Sequence, residues 1–196
     1  MRRGTQWVVV AALSGLALAA CTSEAETPPP TTPSATSAAP SPSQTPSPTP
    51  TPDAATPPER PDMSVVDAAT AEAVAKYFLE LYPYVLATWD LSEWDALSHG
   101  ECIFCASVHQ GALDLQAAGQ HSTGGLVRFS NVSTAQTSDD MWLVQLRMEQ
   151  APWDAVDSAG VVSSSSSDVK AFDVAIAVAL DASGLRIREV TPTRVD

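Results

Sequence analysis

Basic residues are scarce: ten Lys and Arg stand against 23 Asp and Glu, a formal net charge of −13. Such a surface repels phosphate backbones, which argues against a nucleic-acid partner. The chain has no Gly-x-Ser-x-Gly elbow and its serine runs read as loops, so nucleophilic acyl chemistry has no support. The apolar run from Trp7 to Ala20 is too short for a comfortable bilayer span, which needs about 20 residues. Aromatics make up 6% of the residues, and cysteine occurs three times, at 21, 102 and 105.

The N-terminus is MRRGTQWVVVAALSGLALAAC. Arg2 and Arg3, a short apolar run and small residues after it form the pattern of an export signal. Leu18-Ala19-Ala20-Cys21 resembles the bacterial lipobox, which implies cleavage after residue 20 and a diacylated Cys21 as the mature N-terminus. Losing residues 1–20 leaves 8 basic against 23 acidic residues, a formal charge of −15. The expected address is the outer face of the cytoplasmic membrane, reached through the lipid.

Thirteen of the sixteen prolines lie between Pro28 and Pro61, among Thr, Ser and Ala. A stretch without large apolar residues cannot offset its ordering entropy, so residues 21–62 are read as a disordered tether. At ~3.1 Å per residue in polyproline II, about 40 residues reach on the order of 100 Å into the cell wall.

Residues 63–196 are sized for a single domain. Val74, Phe78, Leu81, Val85 and Trp89, with Tyr77, Tyr82 and Leu86 beside them, share one face of a helix over 65–89. Pro83 should kink or break that helix. Ser92 is expected to cap a short helix to Leu97, with Asp95 as a weak capping-box partner. A third helix is expected over 102–118, burying Ile103, Val108, Ala112 and Leu115 and stopping at Gly119. After a turn at HSTGG the period becomes two. Strands are expected over 126–132, 141–150, 170–180 and 185–188, with SSSSSD at 163–168 as a flexible loop and 151–162 irregular.

Helices followed by antiparallel strands predict an α+β domain, with the helices on one face of a curved sheet of about four strands. That order is similar to the nuclear transport factor 2-like, cystatin-type cone. More narrowly, YFLELYPYVLATWDLSEWDALSHGECIFC resembles a family of actinobacterial lipoproteins with no assigned activity. Ala87-Thr88-Trp89-Asp90 and Cys102-x-x-Cys105 carry the resemblance, with Trp89 departing from the small residue expected at the turn. The resemblance implies a fold and an address, and no mechanism.

HGECIFCASVH, residues 99–109, offers His99, Cys102, Cys105 and His109. On one helix the two histidines lie ~15 Å apart, too far for one tetrahedral ion. A redox pair would want a parallel α/β scaffold, and the acidic Glu101 would hinder a thiolate. Residues one helical turn apart fall within the disulfide window, and an exported chain lives where such bonds persist. With Cys21 consumed by lipid, a structural Cys102–Cys105 bridge is expected, with no metal and no cofactor.

Asp90, Asp95, His109 and His121 are the groups available for acid–base work, but spacing does not bring them together. Tyr77, Trp89, His109 and Trp142 are candidates to line an apolar pocket in the cone. The reading is a lipid-anchored envelope module that binds a small hydrophobic ligand or another envelope protein. The alternative is an enzyme doing acid–base chemistry in that pocket on a small hydrophobic substrate.

Overall fold

The computed structural model describes residues 53–195; the signal, Cys21 and most of the tether lie outside the described residues. Helix α1 runs from Ala68 to Thr88. Its start is fixed by Asp67, whose Oδ1 accepts the Thr70 N–H at 2.8 Å. Val74, Phe78, Leu81 and Val85 are buried along its inner face. The helix is a single element through Pro83, which is itself buried. Proline removes one amide donor, and the apolar contacts on either side, at Leu81 and Val85, hold the helix across that gap.

Trp89 ends α1 in a left-handed conformation (φ 62°), its N–H donating to the Val85 carbonyl. That conformation favours glycine or asparagine. Tryptophan is not such a residue, and here the indole gives a compensating bond: its Nε1 donates to the Gln120 carbonyl at 3.0 Å. Helix α2, Ser92–Leu97, has Leu91 at its cap with no side-chain bond. Ser92 is not the cap that its sequence context suggested; Asp90 Oδ1 instead accepts from the Ser92 N–H and hydroxyl at 3.0 and 2.6 Å. Helix α3 spans Ile103–Ala117, with Cys102 as its N-cap.

Seven strands follow, β1 (Gln120–Gly124), β2 (Val127–Ser138), β3 (Met141–Gln150), β4 (Trp153–Asp157), β5 (Val162–Ser166), β6 (Lys170–Asp181) and β7 (Gly184–Val195). They form a four-stranded antiparallel sheet of order β2-β3-β6-β7 and a three-stranded one of order β1-β4-β5. Alternation places Trp142, Val144, Leu146 and Met148 of β3 on the face that meets the helices. Val174, Ile176 and Val178 of β6 and Leu185, Ile187 and Val190 of β7 join them. The domain is therefore α+β, helices first and antiparallel strands after, as expected.

The second sheet was not expected. HSTGG is mostly strand β1, and the serine run forms edge strand β5, paired through its backbone to β4. The turn that was read at HSTGG lies in its two glycines, Gly124 (φ 74°) and Gly125 (φ 72°). A Cβ on Gly124 would stand 2.5 Å from the Pro152 carbonyl oxygen, so that turn requires glycine. Order also begins earlier than residue 63. Ala54 is buried, and Arg60 Nε lies 3.4 Å from Glu93 Oε2, so residues 53–62 form a strap against the domain.

Candidate functional site

The Cys102–Cys105 bridge is present, with Cα atoms 5.2 Å apart. Both cysteines are buried, and the Cys105 N–H donates to Cys102 Sγ at 3.2 Å, so the sulfur also caps α3. Trp94 lies behind it: it is fully buried, stacked on Phe78 with ring centroids 4.0 Å apart, and its Nε1 donates to the Cys105 carbonyl at 3.1 Å. The two histidines of the motif face different partners. His99 Nε2 lies 3.5 Å from the Arg188 guanidinium, and His109 Nδ1 lies 2.8 Å from Asp95 Oδ1. Asp95 thus ties α2 to α3 rather than closing a capping box. Ile103, expected to be buried, is 85% exposed.

The four residues proposed to share a pocket are placed apart in role. Tyr77 is in the core, and its hydroxyl donates to Glu93 Oε2 at 3.3 Å. Burial, and then the Glu93 charge, push that phenol up to about 12. Trp89 clamps α1 to β1, and His109 sits on the outside of α3. Trp142 is buried in the core, and its indole N–H has no partner among the described residues. None of the four lines the two surface cavities described below. Phe78, Trp94 and Trp142 pack in one buried cluster with the aliphatic residues around them.

The larger cavity, about 980 Å³, is a groove elsewhere. One wall is the strap, through Ala54, Pro57 and Pro58; another is α1, through Glu80 and Pro83. The rest comes from the ends of strands: Leu126–Arg128 where β2 begins, Ala151 after β3, and Val169 before β6. The Gly124-Gly125 turn delivers Leu126 to this wall. Its lining is mostly proline and aliphatic, with Asp53, Glu80 and Glu149 against Arg128 as the charged groups. Desolvation by neighbouring atoms raises the Glu80 carboxyl above its ordinary range, with Lys76 opposing. Composition hid this site, because the strap's prolines read as tether. The acidic Asp53, breaking a run of Pro, Thr, Ser and Ala, was the available signal. The smaller cavity, about 540 Å³, lies against the start of α3.

A family of unknown function, DUF6318, matches residues 45–180, most of the chain. The chain belongs to this family. The match begins ahead of residue 63, as the strap does. No curated protein sequence matches the chain. Among solved structures, the intermembrane space region of the chloroplast protein ARC6 is similar at a TM-score of 0.52 and 14% identity, covering 67% of this chain and 99% of that one. That likeness shows a shared fold. The β subunit of benzoate 1,2-dioxygenase from Burkholderia mallei matches at a TM-score of 0.43 and 11% identity, over 68% and 93% of the two chains. The β subunit of a putative aromatic-ring-hydroxylating dioxygenase from Novosphingobium aromaticivorans matches at 0.42 and 12%, over 66% and 92%. No described helix is long and apolar enough to cross a membrane.

Proposed function

We propose that this DUF6318 protein is a non-enzymatic binding module of the cell envelope, anchored through lipid on Cys21, whose groove holds an extended apolar segment of another envelope protein. The observation that carries the reading is the groove itself: about 980 Å³, open, and walled by aliphatic residues and by prolines, which have no backbone donor. A rim with three carboxylates and one arginine favours a segment bearing Lys or Arg beside its apolar residues. The lipobox-like LAAC and the Pro/Thr tract support the anchor and the reach. Glu80 is a weakened acid in this groove, and an acid–base reading would have to use it with Asp53 or Glu149 on the same walls, because Asp95 and His109 are engaged with each other elsewhere.

Two experiments test the reading. Cys21→Ala should move the protein from the membrane to the soluble fraction, and persistent membrane association would refute the anchor. Photo-crosslinkers at Val127 and Val169 in living cells should capture the same protein, and Ala151→Trp, which fills the groove, should abolish both crosslinks.

A further inference from the structure

We propose that the strap, residues 53–62, is a latch on the larger groove, closed while the chain ahead of it is slack and peeled away when that chain is pulled taut from the membrane. Resting on the binding reading above, the latch would control that same site. Asp53, Ala54, Thr56, Pro57 and Pro58 form one wall of the groove, so peeling the strap removes that wall. The same residues are where the domain joins the chain that runs back to Cys21. Any pull on the lipid end therefore reaches the strap before it reaches α1. Site and anchor meet in one short segment.

The strap is held in a way that lets it come away alone. Ala54 is its one buried residue, and a single methyl group buries little apolar surface. Its turn closes on itself: Asp53 accepts the Ala55 N–H on Oδ1 at 3.1 Å and the Thr56 N–H on its carbonyl at 3.0 Å. Those bonds fix the turn's shape and not its place. The link to α2 is Arg60 to Glu93, with side chains 57% and 38% exposed, and exposed pairs of this kind hold weakly. Met63 packs on the core, so peeling that starts at residue 53 stops there. The pull meets the Ala54 contact first and the Arg60 pair after it, one at a time. Segments with few buried contacts open locally while the rest of a domain stays folded. A partner in the groove touches the closed wall and so favours closure; by the same linkage, opening the latch weakens the hold on the partner.

The test is force spectroscopy of the mature chain, Cys21 to Asp196, made without lipid and held by handles on the Cys21 thiol and on Gln110→Cys. Cys102 and Cys105 are bonded to each other and buried, so neither takes a handle. Gln110 is exposed on α3, which keeps the edge strand β7 out of the line of force. A reversible lengthening of about 30 Å, the strap released at ~3.3 Å per residue, is expected before the domain unfolds. Arg60→Ala should lower the force of that step and leave the melting temperature unchanged. Ala54→Asp, which unseats the strap, should abolish the step and cut the Val169 crosslink about ten-fold or more. Without force, amides of 53–62 should exchange with solvent at least about ten-fold faster than those of α1. A chain that unfolds in one event, a first step indifferent to both substitutions, strap amides that exchange in step with α1, or a Val169 crosslink unchanged by Ala54→Asp would each overturn the proposal. Capture from Val169 without the early step overturns the latch alone. No capture in a chain that keeps the step overturns the binding reading, and its control with it.

Discussion

The Cys102–Cys105 bridge can be weighed separately from the cap it contributes. Replacing Cys102→Ser together with Cys105→Ala breaks the bond but keeps an oxygen able to accept the amide that Cys102 Sγ now accepts at 3.2 Å. The bridge closes a loop of sequence separation 3. Loop-closure entropy for so short a ring is about 6 cal/mol/K, or about 2 kcal/mol at 25 °C. For a domain of this size that lowers the melting temperature by about 6–8 °C. Cys102→Ala with Cys105→Ala removes the cap as well and should cost about 1 kcal/mol more. Thermal melts followed by circular dichroism, with and without dithiothreitol, make the comparison. Reduction should reproduce the loss in the native chain and leave both variants unchanged. A native chain whose melting is indifferent to reduction, or free thiols in the non-reduced protein, would refute the staple.

The remaining predictions concern the core and its acid response. Trp94→Phe keeps a ring on Phe78 but removes the indole bond to the Cys105 carbonyl, an oxygen already inside the α3 ladder, for a loss of about 0.5–1.5 kcal/mol read from urea melts; an unchanged midpoint would show that the bond contributes nothing. Asp67, Asp90 and Glu72 are all held below their ordinary carboxyl values, by hydrogen bonds from the Thr70 amide, the Ser92 hydroxyl and Lys76 respectively. With folded values below unfolded ones, the stability they contribute is whole above about pH 5 and drains away as pH falls below about 4. Melting temperatures across that range should fall toward acid, and Asp67→Asn, which cannot titrate but can still accept the Thr70 amide, should flatten the curve. A profile level down to pH 2 would contradict the assignment.

What could be read in the sequence followed the strength of each physical signal. The faces of β3 and β6 were legible because Trp142 to Met148 and Val174 to Val178 alternate cleanly between core and outside. The α3 boundaries and the bridge were legible because residue spacing and cysteine chemistry constrain them. The break that Pro83 could have made does not occur, because a local amide loss is outweighed by burial on both sides of it. β5 was missed because its serines bury almost nothing, and a strand held by backbone pairing leaves no apolar alternation to find. Ile103 was assigned inward by periodicity, which cannot see that the bridge turns its first-turn position to solvent. Tyr77 and Trp142 were read as pocket residues, and they pack the core. The groove depends on Ala54 to Pro58 meeting Leu126 to Arg128 across more than sixty residues of intervening chain, and no local pattern announces that meeting.

The claim that this groove is the working surface is tested most directly by in-cell photo-crosslinking from Val169, on its wall, and from Ala175, on the opposite face of β6 from the core. The account predicts one discrete partner band from Val169, none of that mass from Ala175, and loss of the band when residues 53–62 are deleted. The same band from both positions, or a Val169 band that survives removal of the strap, would contradict it.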